Sequence, residues 1–221
     1  MANNKTAIFS RLDLSTSIHL AQDLEDNFNR SFRGIGYGYL SEDAFFEEEV
    51  PCEAIKQVGY ISGWYFDFSQ TSNSVHDLLD EDADTYPFTK LYKSNGEWDP
   101  IIFDVLEVDD FEIHENYLMA FHVLYIDPQF RGNNFAKYFF NETIKALRAD
   151  TDVFALDVSP LQISGWGKKE DFDLEKFEGI DEVTSKKKLI KYYNKFGFTA
   201  LPDSTIMVAT AERIYTALQQ V

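Results

Sequence analysis

A single cysteine, Cys52, stands in 221 residues, so no disulfide closes within the chain and a reducing cytoplasm is the expected compartment. Four histidines lie scattered, with no pair at metal-ligand spacing, and no structural metal is expected. No stretch approaches the roughly eighteen consecutive apolar residues of a membrane span. The N-terminal MANNKTAIFSRL has neither a charged region leading into a long apolar run nor a small-residue cleavage site, so membrane insertion and secretion are not expected. Positive charge is also scarce: 20 Lys and Arg face 38 Asp and Glu, and a net charge of −18 repels nucleic acid.

Apolar residues are plentiful. At 44% hydrophobic and 16% aromatic, the chain can bury a substantial core, and its length predicts one domain over 1–221 with insertions at 69–100 and 161–182. The acids concentrate in EDAFFEEEV (42–50) and DLLDEDADTY (77–86). Such runs are read first as solvated surface, and second as a rim that attracts a cationic amine.

Along the chain, Ile18, Leu20, Leu24, Phe28 and Phe32 make a loose helical stripe behind Ser/Thr caps, which predicts a helix over 15–32. QVGYISGWYFDF (57–68) reads as a strand. Residues 69–100 mix turn formers and acids and are expected to hold little regular structure. IIFDVLEV (101–108) leans to a strand on its β-branched content. YLMAFHVLYI (117–126) and VFALDVS (153–159) are strands with a helical pattern between them, a βαβ unit with a parallel or splayed pair. LQISGWGKKEDFDLEKFEGIDE is irregular; the helix SKKKLIKYYNKF and the strands FTAL and STIMVAT follow. There is no internal repeat.

Two glycine-rich stretches compete as a phosphate cradle. A cradle needs a strand that delivers the chain to a tight turn, and a helix that begins at once so that its first N–H groups join those of the turn. RGIGYG (33–38) follows a helical pattern and runs into carboxylates, and is read as a flexible helix-to-strand connection. IDPQFRGNNFAKYF (126–139) follows a strand, breaks it at Pro128 and opens a helix with Phe135, Phe139, Phe140 and Leu147 on its apolar positions. Arg131 brings charge, Gly132 lets the backbone approach an anion, and Asn133 or Asn134 serves as cap or left-handed residue.

YIDPQFRGNNFAKYF resembles the acetyl-CoA motif of the GNAT superfamily of N-acetyltransferases, a hydrophobic strand, x-P-x-x-R-G-x-G-x-A/G and a helix, with Asn134 in place of the second glycine. Asparagine is the non-glycine residue that best tolerates positive φ. LIKYYNKFGFTAL (189–201) is similar to the late helix of that family ending Y-x-x-x-G-F, which gives Tyr193, Gly197 and Phe198 those positions. The resemblance covers roughly residues 117–208 and implies a GNAT-like α/β fold, a central mixed, splayed sheet flanked by helices. It further implies direct transfer of an acetyl group from acetyl-CoA, as co-substrate, to a primary amine on a small molecule or peptide. Leu124, Tyr125 and Ile126 would bond the pantetheine arm, the N–H groups of Arg131, Gly132, Asn133, Asn134, Phe135 and Ala136 would hold the pyrophosphate, and Tyr193 would protonate the leaving thiolate.

The base is read from strand parity. His122 shares parity with Leu124 and Ile126 and so can face the cleft, with Asp157 and Ser159 as further candidates. Tyr192 is read as packing, and the lysines at 186, 187, 188, 191 and 195 first as a solvated face and second as contacts to the phosphates of CoA. A catalytically idle scaffold that binds a protein partner is the competing reading. A homodimer stays open.

Overall fold

The computed structural model describes residues 9–18, 29–39, 55–68, 74–80, 83–109, 113, 117–147, 153–160 and 181–220. Strands β1 (Phe9–Ile18), β2 (Asn29–Tyr39), β3 (Ile55–Asp67), β4 (Tyr117–Ile126), β5 (Val153–Asp157), β6 (Thr199–Ala200) and β7 (Ile206–Thr210) form one seven-stranded sheet. Their order is β1-β2-β3-β4-β5-β7-β6, and β4–β5 is the one parallel pair in this ladder. Among the described residues five α-helices accompany it: α1 (Val75–Asp80), α2 (Pro100–Leu106), α3 (Phe135–Leu147), α4 (Glu182–Asn194) and α5 (Ala211–Gln220). The architecture is thus an α/β mixed sheet flanked by helices.

In the first half the expected strand at 57–68 falls on β3, whereas the expectations for 15–38 are not met. No helix spans 15–32: residues 15–18 close β1 and 29–32 open β2, while 19–28 lie outside the described residues. LDLSTSI (12–18) alternates with a period of two, the strand pattern, and this outweighs the looser helical stripe. RGIGYG is not a connection but part of β2. Phe32, Gly34 and Gly36 fall on one buried face, and a Cβ at Gly36 would run into the Phe139 ring of α3. The alternate glycines bare the strand so that a helix can rest on its backbone.

The two faces of the sheet carry separate cores. On one, Phe139, Phe140 and Ile144 of α3 and Ile214 and Leu218 of α5 meet Phe121, Phe154 and Leu156. Truncating a fully buried Phe such as Phe139 to Ala typically costs about 3–5 kcal/mol, so this layer fixes α3 firmly on the sheet. On the other, residues 75–106 cover the sheet with Leu79, Phe88, Leu91 and Ile102 against Phe66, Leu118, Ala155 and Val208.

Of the stretch 69–100, the described residues 74–80 and 83–100 hold more regular structure than expected, and the rest lie outside the described residues. The described part contains α1, a 3-10 turn at Tyr86–Leu91 and a bridge between Tyr92 and Trp98, whose rings stack at 4.3 Å. Residues 101–108 form not a strand but α2 and its ending. Asp99 caps the Ile101 N–H at 3.0 Å, Pro100 occupies the first turn, and Glu107 closes it at φ 54°. Arg213 then donates to the Leu106 and Val105 carbonyls at 2.6 and 3.3 Å, satisfying the end of α2 and tying it to α5. Helix α5 itself was not anticipated. Of the insertion expected at 161–182, residues 161–180 lie outside the described residues. Among the described residues no helix is long and apolar enough to cross a membrane, and no three metal-ligating side chains gather.

Candidate active site

The site starts where β4 outruns its parallel neighbour. Pairing with β5 extends from Leu118–Val153 to Phe121–Leu156, and β4 continues to Ile126. The Asp127 N–H donates to the Val58 carbonyl at 2.8 Å, which fixes the alternation: Val123 and Tyr125 turn their backbone groups toward β3, and Leu124 and Ile126 turn theirs to the open edge. An open edge of alternate N–H and C=O groups can pair with an extended amide-bearing ligand.

Beyond β4 the chain makes a pinned turn. The Asp127 carboxylate accepts the Gln129 N–H at 2.9 Å, Pro128–Phe130 is one 3-10 turn, and the buried rings of Phe130 and Phe135 pack edge to face at 6.2 Å. Between these anchors Gly132 takes φ 83° and Asn134 φ 60°. Asn134 thus occupies the left-handed position expected of it. A Cβ at Gly132 would meet nothing within 4 Å, so its side of the turn is open. Helix α3 starts at Phe135, the Asn134 carbonyl accepts the Tyr138 N–H at 3.0 Å, and the N–H groups of the first turn have no intrahelical acceptor. The turn and helix start together form a concave donor surface suited to an anion.

A cleft of about 440 Å³ joins this turn to the β4 edge and α4. Leu124, Tyr125, Ile126, Arg131, Gly132, Asn134, Phe135 and Ala136 line it, as do His122 and Tyr193. Asn133 does not; its amide donates to the Phe130 carbonyl at 3.0 Å, and it lines a neighbouring groove of about 580 Å³ between α3 and α5. The Tyr125 ring packs with Tyr60 at 5.8 Å, and its backbone faces β3.

Sequence reasoning missed part of the wall. Ser185, Lys188, Leu189, Tyr192, Lys195 and Phe196 all line the cleft from α4 and its end. Their spacing keeps one helical stripe, so Lys188 and Lys195 belong to the cleft edge rather than to a purely solvated face. With Arg131 and Lys137 they give a cationic rim to one side of a chain whose net charge is −18. Arg131 Nε donates to the Ile126 carbonyl at 3.0 Å, and partial burial disfavours its charge despite help from Tyr125 and Asp127. An anion beside it would relieve that penalty.

Tyr193 sits between the rings of Phe140 and Phe198, at 6.2 and 6.4 Å. Part of its surface stays accessible, yet the surroundings of the hydroxyl are dense enough that burial pushes its pKa well above the ordinary value, so it keeps its proton at any physiological pH. Burial raises Tyr192 as well, against the opposing pull of Arg131. The helix carrying both ends as expected: the Gly197 N–H bonds the Asn194 carbonyl at 3.2 Å and the Phe198 N–H bonds the Tyr193 carbonyl at 3.4 Å, with Gly197 at φ 87°. A Cβ there would also lie 2.6 Å from the Arg213 carbonyl oxygen.

His122 lines the cleft, but not from the strand face of Leu124 and Ile126. Pairing with β3 slips from Ser62–Val123 to Gly63–Phe121, which makes His122 the extra residue of a bulge. Met119, Phe121, Leu124 and Ile126 share the α3 side, whereas His122 follows Leu118 and Ala120 on the other and meets the Trp64 ring at 4.9 Å. It reaches the cleft from below, at the fork of β4 and β5, with Nε2 3.4 Å from Asp84 Oδ2. Asp157 ends β5 on that side, accepting the Ser159 hydroxyl on Oδ2 at 2.7 Å; its buried Oδ1 has no hydrogen-bond partner among the described residues.

No protein-family model, curated protein or solved structure gives a significant match to the chain.

Proposed function

We propose that this chain is an acetyl-CoA-dependent N-acetyltransferase of the GNAT type, with the nucleotide and pantetheine held in the 440 Å³ cleft and a primary amine as acceptor. The observation that carries the reading is the turn itself: Gly132 and Asn134 are both left-handed, directly between an open strand edge and a helix start. The residues present fit the group. Open space at Gly132 admits an anion, Arg131, Lys137, Lys188 and Lys195 offset its charge, and the outward backbone groups of Leu124 together with the Ile126 N–H suit the amides of a pantetheine arm, the Ile126 carbonyl being held by Arg131.

Acetyl-CoA, when bound, supplies an acetyl thioester: the amine nitrogen forms the new C–N bond as the C–S bond breaks and the electron pair leaves on sulfur. The chain's own part is proton traffic and orientation. An amine arrives as ammonium and must lose one proton before attack; His122, at the fork, is the acceptor of that proton. A second proton leaves nitrogen as the amide forms, and the sulfur gains one from the Tyr193 hydroxyl, so one proton is released overall. Because burial raises the Tyr193 pKa above that of a thiol, the hydroxyl acts first as a hydrogen-bond donor to the thiolate, and its proton passes to sulfur only as the second proton lost by the amine replaces it.

The test is a thiol-release screen with acetyl-CoA over polyamines, aminoglycosides, amino acids and basic peptides. Turnover with at least one amine, abolished in Gly132→Glu, is expected. Acetyl-CoA binding with no turnover across the panel would favour the idle scaffold instead.

A further inference from the structure

The cleft is electrically divided. Its α3–α4 side is rimmed by Arg131, Lys137, Lys188 and Lys195, whereas the fork holds His122 with the Asp84 carboxylate 3.4 Å from its Nε2. Asp84 belongs to residues 75–106, which cover the sheet face opposite α3, and its neighbour Thr85 is buried and donates to the Leu79 carbonyl at 2.7 Å. The turn that presents Asp84 is therefore anchored in a core. Asp157 lies one position beyond the last β4–β5 pair, on the same side, with one oxygen already taken by Ser159.

Resting on the acetyltransferase reading, we propose that Asp84 is the positioning residue of the acceptor side, orienting His122 for proton removal and drawing a small ammonium-bearing acceptor to the fork. The chemistry follows from the contacts. A carboxylate 3.4 Å from the imidazole Nε2 favours the imidazolium once a proton has moved onto the ring, and the charge pair then holds its orientation. Trp64 offers a π surface beside that ring, which attracts an ammonium and not a neutral alcohol. The segment that looked like a solvated acidic run contributes to recognition through a single carboxylate held in place by the buried residues beside it.

The groups facing the ring are Asp84 from the turn and Trp64 from β3; Asp157 follows the last β4–β5 pair on the same side of the sheet, and Lys188 and Tyr193 of α4 line the same cleft as His122. The test compares Asp84→Asn and Asp84→Glu with wild type by three readouts: NMR titration of the His122 ring without ligand, calorimetric binding of spermidine as probe, and kcat/KM for the best amine of the screen. Asp84→Asn should lower the ring's titration midpoint, weaken spermidine and reduce kcat/KM by about tenfold or more, with acetyl-CoA affinity unchanged and partial recovery in Asp84→Glu. An unmoved midpoint together with unchanged kcat/KM in Asp84→Asn would overturn the proposal. Failure of wild type to bind acetyl-CoA would sink the transferase reading and the proton-transfer role with it; spermidine binding still weakened by Asp84→Asn would then uphold the ammonium site alone.

Discussion

Substituting Asn134 by glycine, alanine and valine probes the turn through one dihedral angle. The residue is exposed, so packing does not confound the series, and its φ of 60° sets the cost. An ordinary L-residue in this region gives up roughly 1–2 kcal/mol, of which asparagine escapes a good part by local hydrogen bonding. Glycine has no such strain but loses about 0.5–1 kcal/mol of chain entropy on ordering, so Asn134→Gly should leave stability within about 0.5 kcal/mol of wild type. Asn134→Ala should cost about 1 kcal/mol and Asn134→Val about 2 kcal/mol, because a β-branched side chain is least tolerant of positive φ. At this chain length each kcal/mol moves Tm by about 2–4 °C, so thermal and urea unfolding resolve the order. Acetyl-CoA affinity, measured by calorimetry, should follow the same order, since a turn that relaxes to negative φ re-aims its N–H groups. A valine variant as stable as wild type and binding acetyl-CoA equally would refute the assignment of a strained cradle.

Three further outcomes follow from the same geometry. Tyr193→Phe keeps the ring and its packing, so kcat should fall at least about tenfold with acetyl-CoA affinity unchanged, while Tyr192→Phe serves as control; equal kcat in Tyr193→Phe and wild type would leave the residue a packing role only. Burial raises the pKa of both Tyr193 and Tyr92, so native stability is intact below the unfolded tyrosine value of about 10 and is lost as pH rises through the higher native values. Urea unfolding at stepped alkaline pH should therefore show a shallower decline in Tyr193→Phe. Gly36→Ala should cost about 1–3 kcal/mol through its collision with Phe139, and Phe139→Leu in the same chain should return part of that.

The second half of the chain was the more legible, and the reason is physical. YLMAFHVLYI coincides with β4 because a long β-branched and aromatic run bounded by Pro128 admits few alternatives. The left-handed Asn134 and the helix ending at Gly197 followed from conformational preferences that act locally. What failed depended on distant partners. The glycines of RGIGYG looked flexible because nothing in the sequence says that Phe139, a hundred positions away, presses on Gly36. The bulge that turns His122 to the other face is set by pairing with Ser62 and Gly63, so parity counted along β4 alone was bound to mislead. Other misses were readable signals passed over: Asp99-Pro100 is a helix start, and Ala211, Ile214, Tyr215 and Leu218 carry the helical spacing of α5.

The most direct test is calorimetric titration of acetyl-CoA into wild type, Gly132→Glu and Gly34→Glu. Saturable binding by wild type, lost when a carboxylate enters the turn at 132, is the predicted result, and folded Gly34→Glu protein should still bind because residue 34 lies in β2, away from the cleft. No heat of binding at millimolar acetyl-CoA, or binding that survives Gly132→Glu in a folded protein, would contradict the account.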